Sequence, residues 1–313
     1  MNDGSSAGTG QAHDPSASTR ATLAAVGAIV LWCWSGVCYA AGGRAVGAMP
    51  YLSLVSAVGV LTVILLHLAF RRPIAPLFRL PLRLIVAGLF GVAVYSILLG
   101  WAMGIAQDKD LGAVMLLNYL WPIWIVLLGM LLLPVRLRVT LVLAGALLGF
   151  LGVAVAQGSI RIAHRPIDFL PHAMTLTASF LWALYSVLLR RWNIPAEQGG
   201  STFHFTVCSL LAGGLALKQG AWQSMAALDA RSVGWILFGG IGPIGLAYYG
   251  WEIGVKRGSV HLIALLAYFI PIGSAVLIGL FFHAAMSPRL ILGAVMIAIG
   301  AWLGHRATRN PSE

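Results

Sequence analysis

"LNYLWPIW", Leu117–Trp124, puts an amide, a proline and two tryptophans into eight residues of an otherwise strongly apolar run. Pro122 lacks the N–H that would bond the carbonyl of Asn118 four residues earlier, so the helix is interrupted there. In a bilayer, a freed carbonyl at mid-depth is tolerated only where protein or a wet cavity supplies a partner. Tryptophan also needs a partner for its ring N–H when buried. The stretch therefore reads as a broken membrane helix facing other protein or a cavity.

The composition supports the membrane reading. The 313 residues are 59% hydrophobic and 9% charged, with a mean hydropathy of +0.89; soluble domains carry roughly 25% charged residues. Cutting the chain at its charges leaves ten uncharged stretches, nearly all reaching the ~17–25 residues a spanning helix needs. The expectation is an all-α integral membrane protein with ten transmembrane helices. With both termini in the cytoplasm, 13 of the 20 Lys and Arg fall inside, the positive-inside bias. That bias accounts for much of the net charge of +11 without a nucleic-acid partner. Residues 1–20 are small and polar and read as a disordered cytoplasmic tail, with no signal-peptide pattern.

A second copy of the opening feature lies further along. "YLWPI" at Tyr119–Ile123 returns as "YFIPI" at Tyr268–Ile272, an offset of 149, and "GWAMGIAQ" at Gly100–Gln107 as "GWEIGVKR" at Gly250–Arg257, an offset of 150. Leu31–Trp32 matches Leu181–Trp182, and "GALLGFLG" at Gly145–Gly152 matches "GAVMIAIG" at Gly293–Gly300. Matches in one order at near-constant spacing predict a duplication. Five spans per half would invert the second half in the membrane, the architecture of many secondary transporters. The expected division is 21–157 for the first repeat, 158–168 for an extracytoplasmic linker, 169–306 for the second repeat and 307–313 for a cytoplasmic tail.

With "NYLWP" in the fourth span and ten spans in two inverted fives, the chain resembles the drug/metabolite transporter superfamily, EamA-type. It is most similar to that superfamily's bacterial aromatic amino acid exporters, over residues 21–306. The resemblance implies a secondary exporter in the bacterial inner membrane, walled by spans one, three, four, six, eight and nine around a central cavity. Aromatic amino acids would be its substrates, with lipophilic cations or other neutral metabolites as the alternative.

The residues expected to meet substrate are Asn118 and Trp121 on span four, with Trp124 on the same arc. Ser35 and Trp34 on span one, beside Trp32, join them, as do Tyr95 on span three and Trp182 and Tyr185 on span six. Tyr248 on span eight and Tyr268 on span nine complete the set. Pro122 and Pro271 are the expected hinges. Trp101 and Trp251, from the repeated Gly-Trp pair, are candidate gates as well as candidate interfacial anchors. Glu252 is the sole acid within an expected span; it reads as an i,i+4 partner of Lys256 or as a coupling group for protons. "GGIGPIG", Gly239–Gly245, marks a bent start to span eight.

Several classes are set aside. No Asp pair, HExxH or Cys/His cluster appears, so neither enzyme chemistry nor a metal or other cofactor is expected. Cys33, Cys38 and Cys208 read as packing residues, and His67, His204, His261 and His283 as interfacial. No Lys or Arg lies deep in a span, which disfavours phosphorylated substrates. The Gly145/Gly149 and Gly300/Gly304 spacings predict close helix packing, within the chain or between subunits. A monomer or weak homo-oligomer in a lipid bilayer is expected.

Overall fold

The computed structural model describes residues 15–108, 110–133, 138–156, 169–192, 200–223, 228–257, 263, 266–283 and 287–307. Every regular element among them is helical. The first stretch holds α1 (Pro15–Cys33), α2 (Ser35–Val46), α3 (Ala48–Ala69), α4 (Leu82–Gly88) and α5 (Tyr95–Ile105). Next come α6 (Leu111–Asn118), α7 (Trp121–Leu132), α8 (Val139–Ala156), α9 (Phe169–Arg191) and α10 (Ser201–Lys218). The remainder forms α11 (Ala230–Gly239), α12 (Ala247–Arg257), α13 (Ile270–Phe281) and α14 (Pro288–Ala307). Two π-helical turns, Leu89–Val94 and Gly240–Leu246, weld α4 to α5 and α11 to α12.

The structure corrects the count of ten spans. Six helices among the described residues are long and apolar enough to cross a membrane. They are Ala48–Ala69, Leu82–Ile105, Leu111–Leu132, Val139–Ala156, Phe169–Leu189 and Ala230–Gly254. The pair Ser18–Cys33 and Ser35–Val46, bent by 45°, makes a seventh if it is one broken span. Six or seven helices do not divide into two inverted sets of five, so the two-repeat architecture falls with the count. Distance between charges had stood in for helix length. Between Arg257 and Arg289 the chain turns at Tyr268–Phe269, and α13 keeps only 12 residues. At 1.5 Å per residue that is about 18 Å, well short of the ~30 Å hydrocarbon core. Likewise α10 has 18 residues but carries Ser, Thr and His along it. The linker expected at 158–168 and residue His261 lie outside the described residues; residues 15–20 of the expected tail already belong to α1.

Close packing follows the glycines. A Cβ on Gly145 would sit 2.5 Å from the Gly300 carbonyl oxygen, and one on Gly152 would sit 2.7 Å from that of Gly293. The small-residue spacing thus packs α8 on α14 within the chain, backbone against backbone. Elsewhere α3 and α10 exchange hydroxyls: Ser53 Oγ donates to the Ser209 carbonyl at 2.9 Å and Ser209 Oγ to that of Ser53 at 2.8 Å. Gly47, at φ +89°, supplies the left-handed turn between α2 and α3.

The proline interruptions are sharper than a kink. α6 stops at Asn118, and α7 restarts with Pro122 as its second residue, where the missing N–H costs no helical bond. Pro271 holds the same place in α13. Both breaks are closed by tight i to i−3 turns, Leu120 N–H to the Leu117 carbonyl at 3.2 Å and Phe269 N–H to that of Leu266 at 3.0 Å.

Candidate functional site

α2, α5, α6, α9 and the π-turn before α12 converge on a cavity of about 590 Å³ of atom-free space, part of it open to the exterior. Seven of the fourteen described residues that line it are aromatic: Trp32, Tyr39, Tyr95, Tyr119, Trp121, Trp182 and Tyr248. None of the described lining residues is charged. Ser35, Leu99, Met115, Asn118, Pro243, Ile244 and Ile270 fill the gaps.

The rings hold one another in place. Trp182 stands 5.4 Å from Tyr95, 6.3 Å from Tyr248 and 5.9 Å from Tyr185, centroid to centroid. Trp32 meets Tyr248 edge-on at 5.3 Å and Trp251 at 5.1 Å, while its ring N–H donates to the Pro243 carbonyl at 3.2 Å. The indole N–H thereby ties α1 to the irregular turn at Pro243.

Asn118 is 4% exposed, and its amide lies beside the Tyr95 hydroxyl without its Oδ1 completing a hydrogen bond of good geometry. The hydroxyls of Tyr119 and Ser274 are likewise buried; they lie beside each other without completing a hydrogen bond of good geometry. Leaving such a group unsatisfied costs roughly 1–3 kcal/mol, so the interruption after Asn118 concentrates unspent polar capacity beside the cavity.

The sequence-derived candidates separate by place. Asn118, Trp121, Tyr95, Ser35, Trp182 and Tyr248 line the cavity together. Trp34 turns away from it onto Phe238, at 5.6 Å, and Tyr185 lies behind Trp182 against His204, at 6.1 Å. Trp124 packs between Phe150 and Phe180 instead. Tyr268 and Pro271 line a smaller neighbouring pocket that shares Tyr119, Trp121 and Ile270 with the first. Pro122 is described by its backbone alone. Trp101 is half-buried away from the lining, and Trp251 backs Trp32. Glu252 also lies off the lining, where it accepts a 2.7 Å hydrogen bond from Ser201 Oγ; the Lys256 side chain expected to pair with it lies outside the described ones.

His204, in the first turn of α10, is buried, with its Nε2 3.1 Å from the Leu84 carbonyl. The three cysteines are free thiols, and no group of metal-ligating side chains gathers among the described residues. Sequence reasoning passed over Tyr39 and Tyr119 as lining residues. Tyr39 had a usable signal, since it lies one turn after Ser35 on the same helix face.

Residues 170–304 match the EamA-like transporter family. The aromatic amino acid exporter YddG of Ancylobacter novellus is 33% identical over 226 residues, 69% of this chain and 72% of its own. The aromatic amino acid exporter YddG of Salmonella typhimurium is 27% identical over 94% of this chain and 99% of its own. A solved crystal structure, described only as that of a protein, superimposes with a TM-score of 0.67 at 28% identity, over 93% of this chain and 98% of its own. These matches make the protein a multi-pass membrane transporter and not an enzyme: the chain belongs to the EamA-like transporter family of the drug/metabolite transporter superfamily.

Proposed function

We propose that the protein exports neutral amino acids with aromatic side chains through the Trp- and Tyr-lined cavity. The observation that carries the reading is the lining itself, half aromatic and without charge. A zwitterion brings equal and opposite charges and needs dipoles rather than a counter-ion, which hydroxyls, the Asn118 amide and freed carbonyls supply. Its ring meets aromatic faces, at about 0.5–1.5 kcal/mol per well-placed pair beyond simple burial. Two relatives named aromatic amino acid exporters support the same substrate class. Substrate would move by exposing the cavity to the two sides of the membrane in turn.

The proposed location is the bacterial inner membrane. Arg191 donates to the Leu132 carbonyl, Arg138 N–H bonds the Ala307 carbonyl, and Arg83 and Arg306 lie over Trp192 and Trp302. These arginines gather at one end of the bundle, which the positive-inside rule assigns to the cytoplasm. The end of α14 lies with them, and the early turns of α1 pack on the last turns of α12, Ala21 and Ala25 against Gly254.

The same rings would also attract a lipophilic cation by cation–π contact. Thermal shift of purified protein separates the readings, because a bound ligand stabilises by mass action. Phe and Trp should raise Tm while Thr and tetraphenylphosphonium leave it unchanged. A shift with tetraphenylphosphonium alone would overturn the amino acid assignment.

A further inference from the structure

At the end of the bundle opposite those arginines, one side chain joins the ends of three helices that wall the cavity, α2, α5 and α13. Arg44, in the last turn of α2, pairs through Nη1 with Asp108 in the segment after α5. Its Nη2 donates to the Ala106 carbonyl at 2.8 Å. The guanidinium also stands 5.1 Å over the ring of Phe282, the residue that caps α13. Phe282 packs on Phe281 at 5.2 Å, and Phe281 meets Trp235 of α11 edge-on at 5.0 Å.

The convergence has a consequence for access. α2 carries Ser35 and Tyr39 of the cavity lining, α5 carries Tyr95 and Leu99, and α13 begins at Ile270. The helix begun by α11 runs on to Pro243 and Tyr248. Arg44 therefore ties the ends of α2, α5 and α13, all of which contribute to the cavity wall, and the Phe282–Phe281–Trp235 stack extends the contact to α11. From Tyr39 to Arg44 is five residues, about 7.5 Å along the helix axis. A mouth at this end opens only when these walls part, and parting them must break the ion pair and lift the guanidinium from the Phe282 ring.

We infer that Arg44, Asp108 and Phe282 form a latch that closes one mouth of the cavity. This rests on the transport reading for its purpose but not for its test. Arg44 and Asp108 are partly solvent-exposed, with side chains 33% and 59% accessible, so the pair is weak. A closure that must release in every cycle requires a weak bond: exposed pairs contribute at most ~1 kcal/mol.

The test follows accessibility rather than transport. With Cys33, Cys38 and Cys208 replaced by Ala, Ser35→Cys places a thiol in the cavity wall. Membrane vesicles of either orientation are then treated with an impermeant maleimide. Gln107→Cys, exposed in the segment beside Asp108, identifies the orientation in which the Arg44 end faces the reagent. Arg44→Gln and Asp108→Asn should each speed labelling of Ser35→Cys from that side about fivefold. The charge reversal Arg44→Asp with Asp108→Arg should return the rate toward that of the unsubstituted latch, which a mere loss of folding would not do. Equal labelling rates with and without Arg44→Gln, in protein of unchanged Tm, would overturn the latch. A failure to transport aromatic amino acids would refute the substrate reading and leave this result standing.

Discussion

The ring of Tyr95 lies 5.4 Å from that of Trp182, tilted by 39°, and both rings line the cavity. Their helices, α5 and α9, are far apart in sequence and pack side by side in the bundle. Trp182 touches Tyr248 as well, so one indole buttresses two opposing walls. Trp182→Ala should raise the KM for Phe and Trp about threefold to tenfold, from the loss of one or two aromatic contacts. Trp182→Phe should recover most of the difference, as measured by initial rates in proteoliposomes.

Asn118 separates stability from function. Its Oδ1 is buried and completes no hydrogen bond of good geometry among the described residues, and replacing such a group by an apolar side chain of similar size is close to neutral or stabilising. Asn118→Leu should therefore match or exceed the wild-type Tm while export falls at least about tenfold, the loss expected when ~1.4 kcal/mol of recognition disappears. A large drop in Tm would assign Asn118 to the fold rather than to recognition.

The α8–α14 seam makes the opposite case. A Cβ at Gly145 would press on the Gly300 carbonyl oxygen at 2.5 Å, and backbone on both sides leaves no flexible neighbour to yield. Gly145→Ala should lower thermal stability by about 1–3 kcal/mol, the usual cost of overpacking. Gly214, which has nothing within 4 Å of its Cβ position, is the control. Gly214→Ala should be neutral or slightly stabilising in the same melting experiment, since alanine is the better helix residue.

Glu252 is placed where a structural role suffices. It lies off the cavity lining and accepts from Ser201 Oγ at the start of α10. A neutral amide oxygen can accept the same bond, so Glu252→Gln should retain both export and its response to an imposed pH gradient. Loss of the gradient response with export otherwise intact would give the carboxylate a coupling role.

What the sequence made legible, and what it hid, follows from the kind of signal each residue left. Asn118, Trp121 and the two prolines stood out because polar, bulky or ring-constrained residues are costly in an apolar helix. Leu99, Met115 and Ile270 line the same cavity without leaving a signal, since in an apolar chain only helix rotation distinguishes lining from packing. Pro243 and Ile244 reach the lining through a π-turn, whose extra residue shifts the face that a regular helix would present. The same limit defeated the span count. Charges bound a stretch, but the turn at Tyr268–Phe269 decides how much of it is helix. Duplicated words such as "YLWPI" and "YFIPI" did locate two helix restarts of the same local form, which is less than two matching halves.

The central claim is that an uncharged aromatic cavity selects neutral aromatic amino acids. Its most direct test is efflux of labelled Phe, Trp, Thr and tetraphenylphosphonium from proteoliposomes loaded with each, wild type beside Trp182→Ala. The account predicts rapid efflux of Phe and Trp, slowed in the variant, with Thr and the cation at the rate of protein-free vesicles. Threonine leaving as fast as tryptophan, or the cation leaving while both aromatic amino acids stay, would contradict it.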